Sequence, residues 1–302
     1  MADYGQALEF GYFLVPDNDD PPGLLETARL LDRLGFDLIG IQDHPYQSKQ
    51  VETMALIAMI LAQTERVRLF PDVANLPLRP PSVLAKMAAT LDQLSEGRFE
   101  LGLGAGGFWG PIKGMGGPVR SPGEALAALA EAIEVIRLMW SGERSVRFQG
   151  EHYQLAGARP GSAPLHDIGI WIGVTGPRAL ALTGRTADGW IPSMAYVPPS
   201  AALKAQGIID RAARVAGRDP AAIRRIYNVG GQITNEGNQP ATADDQQIVG
   251  DVAHWTQVLT HLAVDVGFSS FILWTEPEPE SLRIFIEEIA PAVRRNVATA
   301  RG

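Results

Sequence analysis

Cysteine is absent from this 302-residue sequence. That removes disulfides, thiolate nucleophiles, zinc–thiolate sites and iron–sulfur clusters together. Basic residues are in the minority, with 26 Lys and Arg against 34 Asp and Glu and a net charge of -8. Nucleic-acid affinity comes largely from clustered Lys and Arg, so no nucleic-acid partner is expected. No stretch reaches the roughly 18 uninterrupted apolar residues of a membrane span, and the run Met54 to Ala62 reads as a buried helix. Met1 to Gln6 lack a basic segment followed by an apolar run, so no signal peptide is expected. A cytoplasmic, membrane-free protein is the expectation from these absences. His44, His152, His166, His254 and His261 form no HExxH or comparable spacing, and no protein metal site is expected. The phosphate loop GxxxxGK[ST] and the nucleophile elbow GxSxG are missing as well.

What is present is an ordinary globular composition, 46% hydrophobic and 20% charged. Short β-rich runs alternate with helical stretches along the whole chain, the pattern that builds a parallel sheet. Predicted strands are Glu9–Val15, Asp37–Gln42, Val67–Val73, Arg98–Gly104, Ile168–Gly173, Gly189–Pro192, Ile223–Ile233 and Phe268–Trp274. Predicted helices are Pro22–Leu34, Val51–Thr64, Pro81–Ser95, Pro122–Trp140, Pro177–Ala187, Pro199–Ala216, Asp245–Val266 and Pro279–Val297. Many open with Pro, whose missing N–H costs nothing in a first turn. In the first helix Leu24, Ala28, Leu31 and Leu34 recur at helical spacing and mark a buried face, and Gly35 ends it. Eight β/α units predict an α/β fold of the (β/α)8 TIM-barrel type, a single domain over residues 1–302. Two segments interrupt the alternation. Gly104 to Pro122 is too long for an ordinary βα turn and reads as an active-site loop, and Val146 to Leu155 reads as a small hairpin insertion.

Catalytic groups of such barrels sit where strands end, so the residues just after each strand carry the candidates. Asp43-His44 follows the second strand. A histidine there can hydrogen-bond a substrate or move a proton near neutral pH, or it is a structural His held by Asp. After the fifth strand, Gly173-Val174-Thr175-Gly176-Pro177 opens a helix and points backbone N–H groups at an anion; an ordinary capped helix reads the same way. Gly102-x-Gly104-x-x-Gly107 matches the dinucleotide fingerprint, but Phe108-Trp109-Gly110-Pro111 continues the loop where a helix should open at once. These glycines read instead as room for a flat ring against backbone, or as plain barrel-end packing. Trp109, Trp171, Trp190 and Trp274 are candidates for an apolar substrate pocket, or for core.

Taken in order, four stretches resemble the luciferase-like monooxygenase superfamily, especially its branch using the deazaflavin coenzyme F420. They are Leu34-Gly35-Phe36-Asp37 leading to Asp43-His44-Pro45, Leu91 to Gly106, Gly173 to Pro177, and Ala187-Asp188-Gly189-Trp190. The resemblance implies that Asp43 and His44 face the coenzyme ring, with His44 as catalytic proton partner. It implies a non-prolyl cis peptide at Asp72-Val73, a bulge by which both residues support the bent coenzyme ring, and contacts from Asn75, Ala105 and Gly106 to the ring or its tail. Val174, Thr175, Gly176 and Pro177 would hold the phosphate. Phe108, Trp109 and Trp190 would shape a bulky apolar substrate pocket. Sugar-phosphate dehydrogenases of the family carry a Glu directly after the glycine pair, and Gly107 stands there, so sugar-phosphate oxidation is not expected. The implied activity is hydride transfer between F420 and a small organic substrate, an enone, imine or alcohol, by a homodimer. The alternatives are an FMN-dependent monooxygenase served by a separate flavin reductase, and a non-catalytic flavin-binding barrel.

Overall fold

The computed structural model describes residues 3–234 and 246–302. Eight parallel strands form the wall: β1 (Glu9–Leu14), β2 (Leu38–Ile41), β3 (Arg68–Pro71, resumed at Ala74–Asn75), β4 (Leu101–Gly104), β5 (Ile170–Ile172), β6 (Gly189–Trp190), β7 (Arg224–Ile233) and β8 (Ser270–Trp274). The hydrogen-bonded order runs β3-β2-β1-β8-β7-β6-β5-β4, and Ala74–Asn75 pairs with β4, which brings the ring back to β3. The (β/α)8 expectation is met, and the interruption of β3 falls at Asp72-Val73, whose peptide bond is cis. Helices α1 (Pro21–Leu34), α2 (Thr53–Leu61), α3 (Pro81–Leu94), α4 (Trp109–Gly114), α5 (Pro122–Trp140), α6 (Pro177–Thr186), α7 (Pro199–Val215), α8 (Val252–His261), α9 (Pro279–Ile284) and α10 (Ala290–Arg301) account for the helical stretches.

Local chemistry sets several of these boundaries. Asp20 caps α1 by accepting from the Gly23 N–H at 3.1 Å, and Gly35 ends it at φ 92°, a left-handed conformation that favours glycine. Ser121 and Glu124 form a reciprocal capping box at α5. The expected hairpin is present, Val146–Gln149 paired antiparallel with Gln154–Ala158.

Two expectations need correction. The long loop after β4 contains a short helix, α4, so Trp109 to Gly114 is not continuous loop. The helix expected over Asp245–Val266 begins outside the described residues at Asp245. Within them, Ile248–Gly250 instead adds a parallel strand beside Gly231–Ile233, and α8 starts only after Asp251, whose carboxylate caps it at the His254 N–H. The ladder hydrogen bonds to the long β7 outcompete helix there.

The apolar core has two layers. Phe13, Leu38, Phe70, Trp171, Ile191, Ile226 and Ile272 fill the barrel itself, Phe70 meeting Trp171 edge-on at 5.2 Å. A larger layer packs the outer strand faces against the helices, with Leu24, Ala28 and Leu31 of α1 in it as expected. At the N-terminal end the barrel is closed by charge. Arg68 pairs with Glu9 and with Glu100 (3.0 Å), while Arg224 also reaches Glu9. The polar floor and apolar middle leave the C-terminal mouth as the open end, where β2 to β5 lie side by side.

Candidate active site

The mouth is built from the segments that succeed β2, β3, β4 and β5. Val73 leans across it. A Cβ at Gly102 would stand 2.1 Å from the Pro71 carbonyl oxygen and 3.2 Å from a Val73 methyl. One at Gly104 would come within 2.7 Å of Val73, and one at Gly173 within 3.3 Å. Gly102 and Gly104 therefore accommodate Val73 as wall packing, and the expectation that they make room for a ring is corrected. Gly106, at φ 93°, lies against Pro77 and the Trp109 indole, while nothing stands within 4 Å of where side chains at Gly107 or Gly176 would begin.

Asp43 is 1% exposed. One of its carboxylate oxygens accepts from the Asn75 N–H (2.8 Å) and Arg79 Nε (2.6 Å), the other from Arg79 Nη2 (2.7 Å). Its carboxylate thus ties the β2 loop to the β3 loop, directly beside His44. Asn75, placed by that bond, keeps a buried side-chain Oδ1 with no hydrogen-bond partner. Burying an acceptor without a donor is costly, so such an atom marks where a ligand's N–H or O–H would be welcome.

His44 is half-buried beside the mouth. Its Nδ1 lies 2.8 Å from Tyr46 Oη, and the Phe108 ring meets it edge-on at 5.6 Å. Burial lowers the His44 pKa below the usual histidine range, against the pull of the nearby Asp43 charge, so the imidazole is neutral at physiological pH. Tyr46 is not among the residues the sequence singles out. Its only signal is an aromatic two residues beyond the Asp43-His44 pair. Phe108 projects from the β4 loop, 60% exposed, and Trp109 sits half-buried behind it on Gly106.

Across the mouth, Thr175, Gly176 and Pro177 are exposed at the start of α6, where no side chain caps the first-turn N–H groups. The Val174 carbonyl is fixed by the Trp190 indole N–H at 2.9 Å. Trp190 itself is fully buried between strands and helices, stacked on Phe268 at 5.9 Å. Its place in the substrate pocket is therefore corrected: it faces away from the barrel interior, and Ile191 faces in.

Asp72 points into the top of the barrel beside Gly40. The residue as a whole is only partly buried, but its Oδ2 is enclosed and has no hydrogen-bond partner. Desolvation pushes its pKa up to about 7, opposed by the Asn228 amide. An unfolded Asp ionises near pH 3.9, so between roughly pH 4 and 7 the folded chain holds the extra proton and stability falls as pH rises. Asp72→Asn should match the parent near pH 4 and exceed it by about 1–3 kcal/mol above pH 7. Urea denaturation at the two pH values measures this, and a difference independent of pH would refute the raised pKa.

A cavity of about 1030 Å³ lies on the other half of the mouth, at the ends of β1, β7 and β8. Tyr12, Leu14, Leu24 and Trp274 form its apolar wall, and Asp17, Asp19, Asp20, Glu276 and Glu278 its charged rim. Among the described residues no Lys, Arg or His lines it. Trp274 thus borders a cavity, whereas Trp171 is barrel core. Among the described residues no helix is long and apolar enough to cross a membrane, and no group of three or more His, Asp or Glu is placed to hold a metal.

Known proteins resemble this chain in sequence and in fold. An F420-dependent glucose-6-phosphate dehydrogenase of Microbacterium testaceum is 28% identical over 295 residues, 92% of this chain and 87% of that protein. The protein of the same name from Nocardia farcinica is 31% identical over 229 residues, 74% of this chain and 68% of its own length. Among solved structures, an F420-dependent secondary alcohol dehydrogenase in complex with an F420-acetone adduct superposes with a TM-score of 0.83 at 21% identity, covering 95% of this chain and 99% of that one. The coenzyme F420-dependent tetrahydromethanopterin reductase of Methanopyrus kandleri does so at 0.82 and 20%, with the same coverage. At those identities the two structures speak for the fold. The model of the luciferase-like monooxygenase family matches residues 8–259, and with the closed barrel and its C-terminal mouth in place, the chain belongs to that family.

Proposed function

We infer that this protein is an F420-dependent oxidoreductase acting on a small organic substrate without a phosphate group, an enone, imine or alcohol. The observation that carries the reading is the buried, unpartnered Asn75 Oδ1 at the mouth, beside a neutral His44. The F420-dependent relatives support the coenzyme. The residues present fit a flat ring with a phosphate tail. Asn75 offers an acceptor, the β4 loop offers backbone at Ala105–Gly106, and the uncapped start of α6, where Pro177 itself has no N–H to give, offers the N–H groups of Thr175, Gly176 and Arg178 to an anion. The bound coenzyme would supply hydride transfer at its ring carbon. The chain's own part is positioning and polarity. His44 holds a proton at one ring nitrogen, Phe108 screens it from water, and Asp43 holds the two loops in register.

The substrate class follows from charge. Among the described residues the cavity is rimmed by five carboxylates and no cation, a charge that disfavours a sugar phosphate, and Gly107 leaves that position without a carboxylate of its own. Residues 1–302 are read as one domain, acting as a homodimer in the cytoplasm.

Fluorescence titration of the purified chain with F420 and, in parallel, with FMN tests the coenzyme. Micromolar F420 binding with weak FMN binding is expected, and glucose 6-phosphate should not reduce the bound coenzyme. Tight FMN binding would move the reading to an oxygen-using monooxygenase, and binding of neither would favour a non-catalytic barrel.

A further inference from the structure

We propose that Tyr46 is a positioning residue that selects the tautomer of His44, so that the imidazole carries its proton on Nε2. The inference rests on the reading of His44 as the proton partner and adds the group that sets which nitrogen does the work.

The geometry is specific. Tyr46 Oη lies 2.8 Å from His44 Nδ1, within hydrogen-bond range, with the two rings 5.5 Å apart and inclined at 44°. Phe108 completes a three-ring cluster, 5.6 Å from His44 and 6.2 Å from Tyr46. Pro45 separates the two residues and fixes its own φ near −65°, which stiffens the link between them. In a neutral imidazole one nitrogen donates and the other accepts. A phenol is a stronger acid than an imidazole N–H, and an imidazole nitrogen is a stronger base than a phenol oxygen. The shared proton therefore belongs to Tyr46 Oη, which donates to Nδ1, and the histidine's own proton goes to Nε2.

The charged groups around the pair leave this arrangement undisturbed. Asp43 is the neighbouring carboxylate, but both its oxygens are engaged by Asn75 and Arg79, and Arg79 also reaches Glu52. Burial raises the Tyr46 pKa, with the Asp43 charge adding to it, so the phenol keeps its proton. The consequence is a hydrogen-bond donor at His44 Nε2, the polarity needed to hold a carbonyl or imine acceptor. Without Tyr46 the two tautomers would differ little in energy.

Long-range 15N–1H correlation spectra of the full chain, labelled at histidine and free of coenzyme, test this directly; five histidines make the spectrum assignable. At mildly alkaline pH, His44 should show an unprotonated Nδ1 and a protonated Nε2. In Tyr46→Phe, which keeps the ring and removes only the hydroxyl, both tautomers should appear. The His44 midpoint should rise by roughly half to one pH unit, because a hydrogen bond to the neutral form has been lost. In turnover assays the same variant should lower kcat with little change in KM. A protonated Nδ1 in the parent, or identical His44 signals and midpoint in Tyr46→Phe, would overturn the assignment. The spectra need no coenzyme, so they can succeed even where F420 binding fails, and the two readings stand or fall separately.

Discussion

His44→Ala lowers turnover by about 10²–10⁴-fold, the usual contribution of a placed proton-transfer group, while F420 affinity stays near that of the parent. The split arises because the phosphate and the ring's acceptor-seeking edge are assigned to the α6 N-terminus and to Asn75, not to the imidazole. Steady-state kinetics beside a coenzyme titration separates the two quantities. Unchanged kcat would remove His44 from the chemistry. The pH profile adds a second readout. The working form is the neutral imidazole, and burial depresses its pKa. The acid limb of kcat/KM should therefore fall below the ordinary histidine value of about 6.5, with activity lost as pH drops through it. The limb should vanish from whatever residual rate the Ala variant retains.

Asp43→Ala is expected to damage the fold as well as the site, at about 3 kcal/mol by denaturant titration. Breaking a buried ion pair costs about 3–5 kcal/mol because the surviving charge is stranded. The low end applies here because Arg79 is partly open and has Glu52 as a second partner, whereas the Asp43 side chain is wholly enclosed. The Asn75 N–H would be orphaned too, and with it the placement of the acceptor offered to the coenzyme. Asp43→Asn keeps an oxygen for the Asn75 N–H but loses the charge, so it should fall between the parent and Ala. A variant as stable as the parent, with coenzyme binding intact, would show that the β2 and β3 loops hold their places without this carboxylate.

Much of the barrel is legible in the sequence because its signals are local. Proline at helix starts, Gly35 after α1 and alternating apolar strands each report on a few adjacent residues. The errors fall where the deciding contact is distant or where one residue of register matters. Trp190 sits on a two-residue strand, and only the parity set by Trp171 and Ile191 shows that it faces the helices. The strand at Ile248–Gly250 exists because β7 offers it a ladder, which nothing in its own residues announces. Asp43 and His44 are visible as a pair, yet which of them is enclosed depends on Arg79, 36 residues further on. The glycines after β4 suggest open space because their sequence does not show Val73 lying across them. The acid-rimmed cavity is invisible there, since residues 12–27, 230–233, 246–249 and 274–281 share no motif and meet only in the closed ring.

That cavity and the proposed coenzyme residues occupy opposite arcs of the same rim, β1, β7 and β8 against β2 to β5. A protein laid out in this way can change its diet without relearning its tool. Exchange of the segments after β7 and β8 leaves Asp43, His44 and Asn75 in place, so a library confined to those segments would sample new substrates on a constant redox chassis. Natural lineages on this barrel have the same freedom to diverge, one arc drifting while the other is held.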